Sequence, residues 1–173
     1  MTERVVSFFI NLFGGIKLIP FGREIIAFIL SMLPIIELRG GIIAGRALGL
    51  SPIPTFIICY IGNILPVPFI IWFIKRIIEW MRNSKIKFFN KFVKWLDKKV
   101  DSKKSQIEKY GFLGLVLFVG IPLPGTGAWT GCLIAAMLDM DKKKSFIAAA
   151  IGVLMAGIII SLLSIGIFDG IFG

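Results

Sequence analysis

Two charged side chains stand where an apolar chain has little use for them. Glu37 and Arg39 lie in the stretch Pro34-Ile35-Ile36-Glu37-Leu38-Arg39-Gly40-Gly41, flanked by the apolar runs Ile25–Leu33 and Ile42–Leu50. A charged side chain at the centre of a membrane helix costs about 2.5–3.5 kcal/mol on insertion scales, so this pair is expected to face a polar cavity or to neutralise itself. Residues two apart do not meet on a regular helix, although unwound backbone would let them. Arg39 offers a fork of donors suited to bidentate phosphate contact. Glu37 offers a carboxylate that could bind a cation or carry a proton.

A second polar interruption carries no charge at all. Residues 111–138 form an apolar run broken by Ile121-Pro122-Leu123-Pro124-Gly125-Thr126-Gly127. Two prolines remove amide donors and two glycines loosen the backbone, so helix is not expected to pass through. Thr126 is placed to cap the returning helix. The arms Phe112–Ile121 and Ala128–Leu138 would each reach roughly 15 Å as helix, about half of a ~30 Å hydrocarbon core. Lys103, Lys104 and Lys109 precede the run and Lys142, Lys143 and Lys144 follow it. Lysine-rich flanks tend to stay on the cytoplasmic face, so the segment is expected to enter and leave on one side as a re-entrant hairpin.

Half-helices starting near Gly41 and Gly127 would point free amides and partial positive charge at the space between the breaks. Irregular backbone at that depth survives only where it is buried in protein or lines a polar cavity. The candidate substrate-binding residues are therefore Arg39, Gly40, Gly41, Asn63, Gly125, Thr126, Gly127 and Trp129, with Glu37 coupling proton movement. The glycines would let a ligand approach the backbone without an intervening Cβ. Trp129 could stack on an organic cation or simply pack. Asn63, in Gly62-Asn63-Ile64-Leu65-Pro66-Val67-Pro68, could contact substrate or satisfy backbone groups freed by Pro66.

The remaining elements must hold these breaks in place. Residues 5–19 read as an interfacial helix, 25–50 as the first re-entrant hairpin, and 53–74 as a spanning helix ending at Lys75-Arg76. The segment 75–109 carries twelve Lys/Arg against Glu79, Asp97, Asp101 and Glu108, a net charge of +8. It reads as a cytoplasmic loop whose residues Phe88, Phe89, Phe92, Val93, Trp95, Leu96 and Val100 fall near helical spacing, as in a helix on an anionic leaflet. Residues 111–138 form the second hairpin and 145–168 the final span, where Ser145, Ala149, Gly152 and Ala156 make a small-residue stripe suited to close helix contact. The expected fold is an all-α integral membrane protein: an inverted repeat of re-entrant hairpin plus transmembrane helix, with amphipathic peripheral helices.

Composition narrows the function. Of 173 residues 57% are hydrophobic and the mean hydropathy is +0.89, against about 45–50% apolar in soluble domains. The net charge of +10 is concentrated between apolar segments, so nucleic acid is not an expected partner. The apolar stretch after Arg4 runs into Gly14-Gly15 without a small-x-small cleavage pattern. The chain has no histidine, which removes Ser-His-Asp chemistry and His-based metal sites. Cys59 and Cys132 form no CxxC pair and read as packing residues. No P-loop or GxGxxG is present, so no nucleotide cofactor is expected, and neither a metal nor an enzymatic activity is.

The motifs Glu37-Leu-Arg-Gly-Gly41, Gly62-Asn-Ile-Leu-Pro-Val-Pro-Phe69 and Ile121-Pro-Leu-Pro-Gly-Thr-Gly-Ala-Trp-Thr-Gly131 resemble the small multidrug export protein family over most of the chain. More distantly they are similar to the DedA-like (VTT) membrane proteins, whose inverted re-entrant hairpins are associated with transport of lipid phosphates and with proton-coupled drug tolerance. The arginines that group places around the proline of its second hairpin are missing from Phe118–Gly127. The expectation is a small inner-membrane transporter, proton- or ion-coupled, moving a phosphate-bearing lipid or similar anionic amphiphile through a midplane site. A proton-coupled exporter of small cationic drugs is the alternative, and a membrane scaffold or assembly factor the second. Expected partners are membrane lipids, the amphiphilic substrate and a second copy in a homodimer.

Overall fold

The structure is a computed structural model that describes residues 20–123 and 125–172; the interfacial helix expected over residues 5–19 lies outside them. Seven helices follow one another, with no strand among the described residues: α1 (Gly22–Met32), α2 (Glu37–Ala47), α3 (Pro52–Ile64), α4 (Pro66–Arg82), α5 (Lys87–Gly120), α6 (Ala128–Met137) and α7 (Lys142–Phe172). The all-helical architecture expected from the sequence is present.

Two stretches are long and apolar enough to cross a membrane, Pro52–Arg82 and Lys142–Gly166. Only 33% of each apolar window is buried, whereas the core helix of a soluble protein would be mostly covered. The uncovered residues form stripes: Ile53, Ile57, Ile61, Leu65, Phe69 and Phe73 recur every four positions along α3–α4 and are all exposed. Side chains four apart share a helix face, so one continuous apolar ridge faces outward, as lipid contact requires.

Proline sets the junctions. Pro52 and Pro66 occupy the first positions of α3 and α4, where a missing N–H costs no helical bond. Leu65 between them keeps helical angles (φ −54°, ψ −44°), so α3 and α4 run on as one interrupted rod. The helix does not stop at Lys75-Arg76 but continues to Arg82, where Arg82 pairs with Asp97 at 2.8 Å. Residues 75–109 are accordingly divided between the end of α4 and the start of α5.

The basic part of α5 is not wholly turned outward. Val93, Leu96 and Val100 are buried with Ile78, Phe118 and Ile134, while Phe88, Phe92 and Trp95 stay exposed. α5 then kinks at Gly111 (φ 52°, ψ −121°) and its apolar end packs on α7. There the small-residue stripe serves as expected: Ser145, Ala149, Gly152 and Ala156 are buried, and a Cβ on Gly152 would sit 2.6 Å from the Cβ of Val119. Cys59 and Cys132 are buried and unbridged.

The chain folds back at both expected breaks. α1 packs on α2 across residues 33–36, and α5 meets α6 across 121–127. The first break is shorter than the sequence suggested, because helix resumes at Glu37 and not near Gly41.

Candidate functional site

The two breaks meet through Glu37 and Arg39. α2 opens on Glu37, whose φ of 53° is rare for a side chain without a short polar group and costs about 1–3 kcal/mol. Its amide still donates to the Leu33 carbonyl at 2.8 Å, so the strained residue is anchored by the end of α1. The carboxylate is buried, 7% exposed, and is the one charged side chain among the fully buried described residues.

Glu37 reaches α6 and Arg39 reaches α5. The Trp129 amide donates to Glu37 Oε1 at 3.1 Å. Gly127, φ 139°, lies directly beneath the same carboxylate, where any Cβ would collide with it. A carboxylate seated on the first amides of a helix interacts favourably with the N-terminal dipole. The Arg39 guanidinium donates to the carbonyls of Leu123 at 2.8 Å, Ile121 at 3.3 Å and Val119 at 3.4 Å, and to Thr126 Oγ1 at 3.2 Å. Here a cation sits on the carbonyl end of a helix, again in the favourable sense. The charge-free break is thus latched at both of its helix ends by the charges of the other, and Glu37 and Arg39 also interact electrostatically with each other.

The other expected site residues divide. Thr126 stands at the latch and hydrogen-bonds the carbonyls of Ile121 and Leu123; it therefore closes the outgoing helix, and the first turn of α6 is met by Glu37 and not by Thr126. Gly125 (φ 80°) and Gly127 supply the left-handed backbone of the turn. Trp129 donates its indole N–H to the Met32 carbonyl at 3.0 Å, tying α6 to the end of α1. Gly40 and Gly41 lie inside α2. The Gly40 amide is taken by Ile36 O at 3.0 Å, and a Cβ on Gly41 would meet Ser31 at 2.8 Å and Cys59 at 3.0 Å. That glycine lets α1, α2 and α3 approach closely.

Asn63 is buried, 1% exposed. Its Nδ2 donates to the Ser31 carbonyl at 3.0 Å, and its Oδ1 has no partner. Together with Glu37, Arg39 and Gly127 it lines a cavity of about 10 Å³, walled by Val153 and Ala156 of α7. That volume admits about one water molecule, too little for a substrate. The carbonyls of Val119, Ile121 and Leu123 were missed by sequence reasoning, because every residue carries a carbonyl. Pro122 and Pro124, as helix-breaking residue types in the sequence, were the available signal.

An all-helical bundle with two stretches long and apolar enough to cross a membrane, and a buried charge between broken helices, has the architecture of an integral membrane protein. Residues 37–159, well over half of the chain, match the family described as "Putative small multi-drug export protein", and the chain belongs to that family. No curated protein and no solved structure matches it.

Proposed function

We propose that this protein exports small amphiphilic cations in exchange for protons, with its two breaks forming re-entrant hairpins that meet near the membrane midplane. The observation that carries this reading is the seating of Arg39 among the carbonyls that end α5. Carbonyls that hold a guanidinium can hold another cation, and Glu37 beside them supplies buried negative charge. The cavity of about 10 Å³ is too small for a substrate, so the latch must open for one to enter. A cation arriving as Arg39 swings out replaces one positive charge by another. A proton on Glu37 weakens its hold on α6 and frees the second half of the latch.

In this reading the hairpins 25–50 and 111–138 enter from opposite faces of the inner membrane, each followed by a span, as an inverted repeat. The net charge of +8 over residues 75–109 supports a cytoplasmic location for that segment. A homodimer is part of the proposal, because the seven described helices enclose so little space that a substrate path is left to be completed by a second copy.

The start of α6 supports a second reading. Its amides already hold a carboxylate, so an anionic amphiphile such as a phosphate-bearing lipid could take that place when Glu37 leaves. Transport into proteoliposomes separates the two. A fluorescent lipophilic cation should accumulate against a pH gradient in wild type, and Glu37→Gln should abolish the dependence on that gradient. Movement of anionic amphiphiles instead, weakened most by Arg39→Ala, would establish the second reading. Failure to move either class would defeat the transporter proposal and favour a scaffold.

A further inference from the structure

Away from the latch, a groove of about 410 Å³ opens between α4 and the turn that joins α6 to α7. Its volume lies within the range of small-molecule sites, roughly 300–1,000 Å³. The latch cavity is far too small by comparison, and the two share no lining residue.

The groove wall changes character within one helical turn. Trp72 and Phe73 are exposed, 45% and 48%, and continue the apolar ridge of α4. Lys75 and Arg76 follow immediately and mark where that ridge leaves the hydrocarbon. Aromatic residues beside the first cations are the signature of a membrane–water boundary. Lys142, the first residue of α7, faces the groove from the opposite wall.

The charges are unevenly spent. Lys75 is held across the groove by Asp139, and the remaining carboxylate is Glu79. Among the described residues, Arg76 and Lys142 carry no ion pair or side-chain hydrogen bond, and Lys143 and Lys144 follow Lys142 in sequence. We infer that this groove binds the headgroup of an anionic glycerophospholipid, with the phosphodiester between Arg76 and Lys142 and the acyl chains running along Trp72 and Phe73. The Arg76 fork matches a phosphate in geometry and Lys142 adds a second charge. The apolar wall selects lipid over a soluble phosphate ester, which would leave it unused. This inference does not depend on the transport reading.

Native mass spectrometry of delipidated protein, titrated with phosphatidylglycerol, phosphatidylcholine or glycerol 3-phosphate, tests it. Wild type should retain one phosphatidylglycerol in preference to phosphatidylcholine. The double variant Arg76→Gln/Lys142→Gln should reduce that preference roughly thirtyfold, as the loss of two interfacial cations implies. Glu79→Gln should strengthen it, an opposite change that misfolding could not produce. Lys94→Gln/Lys98→Gln, on α5, should leave it unchanged. Equal retention of both lipids, an undiminished preference in the double variant, or displacement of the lipid by equimolar glycerol 3-phosphate would overturn the inference.

Discussion

The two helix breaks solve the same problem in opposite ways. The break at 33–36 is short, resumes helix at once, and carries the charges Glu37 and Arg39 at the start of α2. The break at 121–127 is longer and uncharged, and it leaves helix ends with carbonyls and amides to be satisfied. Buried backbone groups without partners are costly, and here the charges of one break satisfy the backbone of the other. A charged residue in an apolar hairpin can thus serve a distant helix terminus as well as a ligand. Under the proposed function the two roles would coincide, because a group that occupies a helix end can also be displaced from it.

That asymmetry can be broken from either side. Arg39→Ala should cost most, about 3 kcal/mol, since it strips the carbonyls at the end of α5 of charged donors; thermal unfolding in detergent would register it. Arg39→Lys should recover only part of the loss, because a point charge cannot serve several separated acceptors as a fork does. Gly127→Ala should cost about 2 kcal/mol, from its left-handed backbone and from expelling the Glu37 carboxylate. Glu37→Gln should cost about 1 kcal/mol, because the amide oxygen can still accept from Trp129 while the charge–dipole attraction is lost. A reversed order, with Glu37→Gln more damaging than Arg39→Ala in the same assay, would mean that the carboxylate and not the guanidinium holds the breaks together.

Much of this was readable in the chain. Pro122, Pro124, Gly125 and Gly127 specify the second break whatever surrounds them, because they act on their own backbone. The Ser145–Ala156 stripe predicts close packing because its spacing is local. The direction of Glu37 and Arg39 was not readable, since the partners of their side chains lie eighty or more positions away and are, Thr126 Oγ1 apart, backbone atoms. Gly40-Gly41 suggested a helix start because glycine weakens helices by about 1 kcal/mol. The structure shows tertiary packing overriding that propensity, with Gly41 pressed against Ser31 and Cys59. The end of α4 was misplaced because Lys75 and Arg76 mark where the apolar ridge ends, not where helix stops.

The central claim is that the charges at 37 and 39 fasten the break at 121–127, and amide hydrogen exchange reads this directly. In Arg39→Ala and in Glu37→Ala, exchange over residues 121–131 should accelerate by about tenfold, the equivalent of ~1.4 kcal/mol of local opening, while residues 66–82 of α4 keep their wild-type rates. Wild-type exchange over 121–131 in both variants would contradict the account.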